Sequence, residues 1–204
     1  MFLHVARRME QAKDELGEAD RATGDGDHGV AIARGFDAVR QRLEGQTFET
    51  VDELLRAIGD GLLSAMGGAS GVLLAAFFTG GGSRLAGGVT FDVEAVRRLL
   101  VDGLDAVQKR GKAKPGDKTM VDALAPASQA ASELPSSSLT SLLAAASEAA
   151  RLGAEQTKTM VARVGKAKSL GQRSLGRPDP GALSICLLLE AMAEYVAERA
   201  RTLP

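Results

Sequence analysis

The sequence is poor in cysteine and in aromatic residues: among 204 residues it has one Cys, no Trp, six Phe and one Tyr. A single cysteine excludes a disulfide framework and a cysteine-rich metal site, and it is typical of a reducing compartment. The longest uninterrupted apolar run, residues 72–78, is far shorter than the ~20 residues of a membrane helix. Arg7 and Arg8 come too early for a secretory signal. We therefore expect a cytoplasmic protein without a membrane segment.

Excess charge of one sign is also lacking. The 25 basic and 26 acidic residues leave a formal net charge of −1, so the basic surplus of a nucleic-acid-binding protein is absent. The length favours one domain over residues 1–204, and no segment reads as a linker. Ala and Leu, which lead the helix scale, dominate over β-branched and aromatic residues. These features predict a single all-α domain that does not bind nucleic acid.

Apolar residues recur every three or four positions in eight segments, which predicts eight helices. We expect them at about 2–19, at 29–44, after the N-cap Thr50, at 70–85, from Thr90 or Asp92 to Gly111, from near Thr119 to before Pro135, at 139–164, and at 181–202. Short connections favour antiparallel neighbours. The sequence thus predicts an up-down bundle or barrel of eight helices.

An alternating topology places four loops at one end of this bundle. They are Asp20–Gly29, Met66–Gly71, Gly111–Lys118 and Gly165–Gly181. The opposite end receives Gly45–Phe48, Gly80–Gly88 and Leu134–Ser138, which hold almost no charged or catalytic side chains. We therefore expect the chemistry at the first end.

The first loop carries three carboxylates, Asp20, Asp25 and Asp27, interleaved with glycines. Carboxylates this close repel one another unless a cation lies between them, and oxygen ligands suit Mg²⁺, Mn²⁺ or Ca²⁺ better than zinc. The alternative is an ordinary acidic turn exposed to solvent. His28 follows the third aspartate directly, and we expect it to contact phosphate if the loop binds a metal–phosphate group.

The other three loops predict a site for anions. Gly67-Gly-Ala-Ser-Gly71 leads directly into a helix, where free N–H groups favour phosphate, although Ser70 in a simple N-cap is the alternative. The stretch from Gly111 to Thr119 is similar to a Walker A motif with one extra residue, but a helix precedes it where a P-loop needs a strand. Residues 109–118 and 158–177 together hold eleven of the 25 basic residues. A metal–nucleotide site is the interpretation that joins all four loops.

Four motifs, in order along nearly the whole chain, resemble the ADP-binding L subunits of dihydroxyacetone kinases. They are Gly24-Asp-Gly-Asp-His-Gly29, Met66-Gly-Gly-Ala-Ser-Gly71, Gly116-Asp-Lys-Thr-Met120 and Asp179-Pro-Gly181. The resemblance implies an eight-helix antiparallel barrel with a nucleotide site at one rim and an apolar interior that can hold lipid. It also implies that the three aspartates hold two Mg²⁺ ions, which bridge the phosphates of ADP or ATP.

The resemblance further assigns nucleotide-binding positions, which in this chain are His28, Gly29, Val30, Ala31, Ala69, Ser70, Gly111, Met120, Lys166, Asp179, Pro180 and Gly181. Two departures lie among them. Ala31 and Ile32 stand where the family usually has Asn and Met, and Lys166 stands where the family has an arginine. Lysine keeps the charge but loses the bidentate fork.

The implied reaction is phosphoryl transfer to a hydroxyl of a short ketose, which a separate substrate-binding subunit K holds. A phosphotransferase-system subunit M that rephosphorylates bound ADP is an alternative to free ATP as the donor. Three other hypotheses remain open at this point. They are a kinase subunit for another ketose such as erythrulose, a nucleotide module of the fatty-acid-kinase type, and a non-catalytic lipid-carrying or regulatory bundle.

Overall fold

The computed structural model describes residues 1–134 and 138–202, which form nine α-helices and no β-strand. The helices are α1 (Phe2–Gln11), α2 (Lys13–Arg21), α3 (His28–Leu43), α4 (Val51–Met66), α5 (Gly68–Gly82), α6 (Val93–Gly111), α7 (Val121–Glu133), α8 (Leu139–Gln156) and α9 (Pro180–Thr202). Two short 3₁₀ segments, Thr157–Thr159 and Lys166–Ser174, lie between α8 and α9. The all-α prediction is confirmed.

The helices pack in a closed ring. From α3 to α9 each helix packs against the next one in the chain, and α1 contacts both α3 and α9. The short helix α2 packs on α3 and α9. Apolar side chains from every helix meet in one continuous core. The predicted antiparallel barrel is therefore confirmed.

Local capping signals predicted several helix ends correctly. Thr50 Oγ1 accepts a hydrogen bond from the backbone N–H of Glu53 (3.4 Å) at the start of α4, as an N-cap should. Asp92 does the same for α6, accepting from the N–H of Ala95 (3.0 Å), and α6 ends at Gly111 as predicted.

Two predicted helices differ from the structure. The segment 2–19 is divided at Ala12 into α1 and α2, so the barrel contains nine α-helices in the described residues where eight were expected. The segment 139–164 stops being α-helical at Gln156. The predicted loop Leu134–Ser138 includes residues 135–137, which lie outside the described residues.

Helix α9 is long and apolar enough, by length and composition, to cross a membrane. Its apolar side, however, is built into the barrel: Ile185, Leu188 and Leu189 are fully buried in the common core. The helix packs against α1, α7 and α8. Its hydrophobicity is therefore that of a core helix.

Candidate functional site

The four loops predicted to share one end of the barrel do meet there, around a cavity of about 370 Å³. Its walls come from the α2–α3 loop, the α4–α5 turn, the α6–α7 connection and the long α8–α9 connection. Twelve of the predicted site residues line it: Asp20, Asp27, His28, Val30, Ala31, Ala69, Ser70, Met120, Lys166, Asp179, Pro180 and Gly181. The convergence of distant loops is what the alternating topology required.

The acidic loop gathers the three predicted metal ligands. One carboxylate oxygen from each of Asp20, Asp25 and Asp27 lies within 4.8 Å of the other two. Asp20 is buried, whereas the other two aspartates are exposed to solvent. Asp20 Oδ2 also accepts a hydrogen bond from the backbone N–H of His28 (3.1 Å), which fixes the end of α2 to the beginning of α3.

Lys166 reaches this acidic cluster from the far side of the cavity. Its Nζ lies 2.6 Å and 2.8 Å from the two carboxylate oxygens of Asp25 and 3.4 Å from Asp27 Oδ1. The hydrogen bond from Lys166 lowers the pKa of Asp25, so this carboxyl stays ionised at neutral pH. The same contact raises the pKa of the Lys166 ammonium. The lysine thus shows that the cluster attracts a cation.

The oxygen ligands of the cluster fit a hard divalent cation. Three carboxylates that converge from one short loop offer only oxygen atoms, which is the donor set that Mg²⁺ prefers. Among the described residues, Lys166 alone brings a cationic group within 4.0 Å of this cluster, at Asp25 and Asp27. The residues present therefore fit the predicted metal. The three carboxylates together carry more negative charge than the ammonium of Lys166 neutralises, so a further cation would stabilise the cluster.

His28 links the acidic loop to the beginning of α9. Its Nε2 lies 2.7 Å from Ser184 Oγ, which itself donates to the carbonyl of Pro180 (3.0 Å). Burial lowers the pKa of His28, so the ring is neutral at physiological pH. The imidazole lines the cavity, and it also hydrogen-bonds to Ser184 of the protein. This bond favours a role in orienting the acidic loop, in addition to any contact with phosphate.

The α4–α5 turn presents backbone N–H groups to the cavity. Gly67 and Gly68 both have positive φ (68° and 63°), a conformation that glycine adopts without the strain a Cβ brings. Arg34 holds the preceding end of α4, because its Nε and Nη2 donate to the carbonyls of Ala65 (2.6 Å) and Met66 (2.7 Å). The start of α5, with Ala69 and Ser70, lines the same cavity as Asp20 and Asp27 and is a helix N-terminus suited to an anion.

The α6–α7 connection is held by aspartates. Asp122 accepts from the N–H of Gly116 (2.5 Å) and of Thr119 (2.7 Å), and Asp117 accepts from the N–H of Lys114 (2.9 Å). These bonds satisfy backbone donors that a loop leaves free. The helix α6 before this turn confirms that it is no P-loop, which follows a strand.

Asp179 is the N-cap residue of α9, immediately before Pro180. Its Oδ2 accepts from the N–H of Ala182 (2.8 Å), and its own N–H donates to Thr157 Oγ1 (2.8 Å). Desolvation raises the pKa of Asp179 to about 7, with a further contribution from the negative charge of Asp122. This carboxyl is therefore close to half protonated at neutral pH, unlike Asp25.

Three predicted site residues do not line the cavity. Asp25 belongs to the carboxylate cluster beside it. Gly29 is buried at the contact between α3 and α2, where a Cβ would collide with the carbonyl oxygen of Lys13. Gly111 ends α6, and a Cβ there would lie 3.0 Å from the Leu73 side chain. The two glycines therefore serve helix packing in this structure.

Several residues that shape the site carried no signal in the sequence. Arg34 and Ser184 lie in the middle of helical patterns, where nothing marks them as different from surface or core residues. Lys118 did stand out, as the lysine of the Walker-like stretch, but that similarity pointed to phosphate. In the structure its ammonium contacts four backbone carbonyls instead.

The sequence of this helical barrel matches the model of a known family. The chain belongs to the DAK2 domain family, whose model matches residues 22–194. It is 38% identical over 176 residues to the ADP-binding subunit DhaL of the PEP-dependent dihydroxyacetone kinase of Escherichia coli (strain K12), covering 85% of this chain and 84% of that subunit. The predicted resemblance is thereby confirmed.

Longer kinases also contain a region similar to this chain. L-Erythrulose 1-kinase of Mycolicibacterium smegmatis is 36% identical over 186 residues, which are 89% of this chain and 32% of that protein. The crystal structure of the dihydroxyacetone kinase of C. freundii in complex with AMP-PNP and Mg²⁺ matches with a TM-score of 0.73 and 33% identity. That match covers 95% of this chain and 33% of the kinase. This chain thus spans about a third of these two proteins.

Proposed function

We propose that this chain is the nucleotide-binding subunit of a dihydroxyacetone-type kinase and that its cavity binds ADP or ATP together with Mg²⁺. One observation carries the proposal: the carboxylates of Asp20 and Asp27, with Asp25 clustered beside them, line the same cavity as the helix N-terminus at Gly68–Ser70. Carboxylates hold cations and free N–H groups hold phosphate oxygens, so the two walls together suit a metal–nucleotide complex. The names of the relatives agree with this class of ligand.

Each wall of the cavity has a separate task in this proposal. The three aspartates hold Mg²⁺, for which we expect two ions, and the metal neutralises the charge on the transferred phosphoryl group. Lys166 can exchange its carboxylate partners for a phosphate oxygen. The apolar side chains of Leu73, Met120 and Val164 line the same cavity and suit the base or ribose of the nucleotide.

We infer that a second subunit brings the acceptor. The cavity that the four loops share is the one assigned to the nucleotide, and the barrel interior is filled by apolar side chains. Phosphoryl transfer depends on holding the acceptor hydroxyl in line with the phosphate, so a substrate-binding subunit K would dock over this rim. Dihydroxyacetone is the first acceptor, and the match to an erythrulose kinase makes erythrulose the second candidate.

Calorimetry followed by a reconstituted assay tests the proposal. The purified chain should bind ADP with Mg²⁺ and lose that binding in excess EDTA. It should phosphorylate neither dihydroxyacetone nor erythrulose alone, and it should do so when subunit K is added. Absence of Mg²⁺-dependent nucleotide binding would refute the nucleotide site, and equal rates with and without subunit K would refute the division of labour.

The phosphoryl donor is a separate part of the proposal. The relatives from E. coli and Listeria innocua are described as PEP-dependent, which favours a bound ADP that is rephosphorylated by a subunit M. A resident ADP should dissociate slowly and remain on the chain through gel filtration. Rapid exchange of ADP for ATP, with turnover on ATP alone, would favour free ATP as the donor.

The apolar interior supports a further expectation. We expect a lipid to be able to enter the barrel, although Phe36, Phe77 and Phe78 already fill part of its interior. Native mass spectrometry of the purified chain would show the additional mass, and a spectrum of the bare polypeptide alone would argue against it.

We also expect a cytoplasmic location, since the one cysteine, Cys186, is a buried free thiol.

A further inference from the structure

Lys118 is the most deeply buried cationic group of the site region, with 2% of its surface exposed. Its Nζ lies within hydrogen-bonding distance of four backbone carbonyls, those of Thr157 (2.6 Å), Met160 (3.2 Å), Ser174 (2.8 Å) and Arg177 (2.6 Å), which share its three N–H bonds. In the described part of the chain, no carboxylate lies within 4.0 Å of this ammonium. The charge is therefore stabilised by carbonyl dipoles, with Asp122 and Asp179 contributing at longer range.

The four carbonyls belong to one segment, the connection between α8 and α9. Two of them lie at its beginning, at Thr157 and Met160, and two near its end, at Ser174 and Arg177. The ammonium thus joins both ends of the segment and closes it into a loop. Lys166 lies within this closed loop, between its two ends.

Two backbone hydrogen bonds also hold this segment, one between its two ends and one to the α6–α7 connection. The N–H of Gly176 donates to the carbonyl of Lys158 (2.7 Å), and the N–H of Arg163 donates to the carbonyl of Asp117 (3.1 Å). Apart from the two 3₁₀ segments, residues 157–179 have no helix to hold them. The N–H of Ala162 also donates to Ser174 Oγ (3.0 Å), and that of Asp179 donates to Thr157 Oγ1 (2.8 Å). The position of the segment therefore depends on a small set of hydrogen bonds, among which those of the charged ammonium are the strongest.

We propose that Lys118 is a positioning residue whose ammonium acts as an internal cation, closing residues 157–177 so that Lys166 and the Asp179–Gly181 turn face the nucleotide cavity. The inference rests on the proposed function for its effect on nucleotide binding, but the closure itself concerns the chain alone. Rings of backbone carbonyls can replace the hydration shell of a monovalent cation. The same four oxygens should therefore accept K⁺ or NH₄⁺ once the lysine side chain is removed.

Lys118→Met removes the charge, and Lys112→Met is the matched control. Lys112 lies in the same connection and also has a left-handed backbone (φ 59°, against 63° for Lys118), but its side chain is exposed. Hydrogen exchange is measured without nucleotide or Mg²⁺. Amides of residues 157–177 should exchange at least about tenfold faster in K118M, equivalent to ~1.4 kcal/mol of opening free energy, whereas K112M and the α4–α5 amides should match the wild type.

A Lys118→Ala variant tests the cation directly. At equal ionic strength, potassium or ammonium chloride should restore slow exchange to residues 157–177, whereas tetramethylammonium chloride should not. The affinity for Mg²⁺–ADP should follow the same pattern, falling about tenfold in tetramethylammonium and recovering in potassium. A lysine that contacted only phosphate would leave the exchange of the free chain unchanged.

Each outcome decides between the hypotheses. Unchanged exchange in K118M and K118A would overturn the closure, even if the affinity for nucleotide fell. Global unfolding of both variants that potassium does not reverse would also overturn it, because the role would then extend beyond this segment. If the wild type binds no Mg²⁺–ADP, the proposed function fails, and the exchange data still test the closure by themselves.

Discussion

At the end of the barrel opposite the cavity, a buried carboxylate is paired within the protein, whereas at the cavity end a cluster of three carboxylates is only partly neutralised. Arg84 Nε donates to Asp102 Oδ2 (2.8 Å), so the buried carboxylate of Asp102 is matched by one guanidinium. Arg97 donates to the last carbonyls of α7, at Ala131 (3.0 Å) and Leu134 (2.5 Å). In the acidic cluster at the cavity, three carboxylates converge, and among the described residues only Lys166 brings a cationic group within 4.0 Å of them.

The difference indicates which end is built for a ligand. The ring of Phe2 packs edge-to-face on Phe78 and Phe91 at the paired end, which is closed by apolar contacts. An unbalanced cluster of like charges is unfavourable for the fold alone, and it becomes favourable when a cation binds. A site that must release and rebind Mg²⁺ and phosphates needs such an imbalance, and a purely structural end does not.

The largest effect is expected from Asp27→Asn. The variant removes one anionic ligand from the cluster, so Mg²⁺-dependent binding of ADP should weaken by roughly a hundredfold or more, ~2.7 kcal/mol. The free energy of unfolding should change little, because the side chain of Asp27 is 69% exposed. Calorimetry gives the affinity and urea unfolding gives the stability.

The control for this variant is Asp105→Asn, which removes an exposed carboxylate paired with Lys109 on α6. It should leave nucleotide binding unchanged. An affinity of D27N for Mg²⁺–ADP within threefold of the wild type would remove Asp27 from the metal ligands.

Arg84→Met tests the opposite end. Loss of the guanidinium leaves the buried carboxylate of Asp102 without its partner, and we expect the midpoint of urea unfolding to shift to a lower urea concentration. The affinity for Mg²⁺–ADP should remain that of the wild type. The double variant with Asp102→Asn should recover part of the lost stability, because the unpaired charge is gone. Weaker nucleotide binding in R84M would show that the two ends are coupled.

The sequence predicted the fold and the general location of the site because both depend on local patterns. Apolar spacing gave the helices, caps such as Thr50 gave their starts, and the alternation of helices placed four loops at one end. The end of α8 was wrong by several residues. There Thr157 accepts from the N–H of Asp179, and its carbonyl accepts from Lys118, so contacts between distant residues override the helical pattern.

The details of the site depend on such contacts between distant residues, so they are harder to predict from the sequence. Nothing local tells that Arg34 holds the end of α4, or that Ser184 on α9 meets His28 on α3. Gly29 was mapped to the nucleotide through the family motif, whereas its buried backbone lies against Lys13 of α2. A motif identifies residues that matter together, but only the packing separates those facing a cavity from those holding the loop in place.

Lys166→Met should have a smaller effect than loss of an aspartate. Lys166 is exposed and its contacts are screened by solvent, so we expect Mg²⁺–ADP to bind about tenfold more weakly, ~1.4 kcal/mol. Lys166→Arg should bind as well as the wild type or better, because the charge is retained. Lys168→Met, two residues away on the same exposed segment, is the matched control. Wild-type affinity in K166M would mean that this lysine does not contact the nucleotide.

The last prediction concerns the pH dependence of stability through Asp179. In the folded chain its pKa is about 7, against 3.8 for the unperturbed group, so between these values the folded state retains a proton that the unfolded state loses. This contribution to stability is present at pH 4 and is lost as the pH rises to 7. Asp179→Asn cannot ionise and can still cap α9.

The stability of D179N relative to the wild type should therefore rise by more than ~1 kcal/mol between pH 4 and pH 7, since one pKa unit corresponds to ~1.4 kcal/mol. His28 changes the stability in the opposite direction, because its lowered pKa favours the folded state as the pH rises. Both proteins contain His28, so its contribution cancels in the difference between them. Urea unfolding at several pH values measures this difference. A difference that is constant over the whole range would mean that the Asp179 carboxyl titrates alike in the folded and the unfolded chain, so that burial does not raise its pKa.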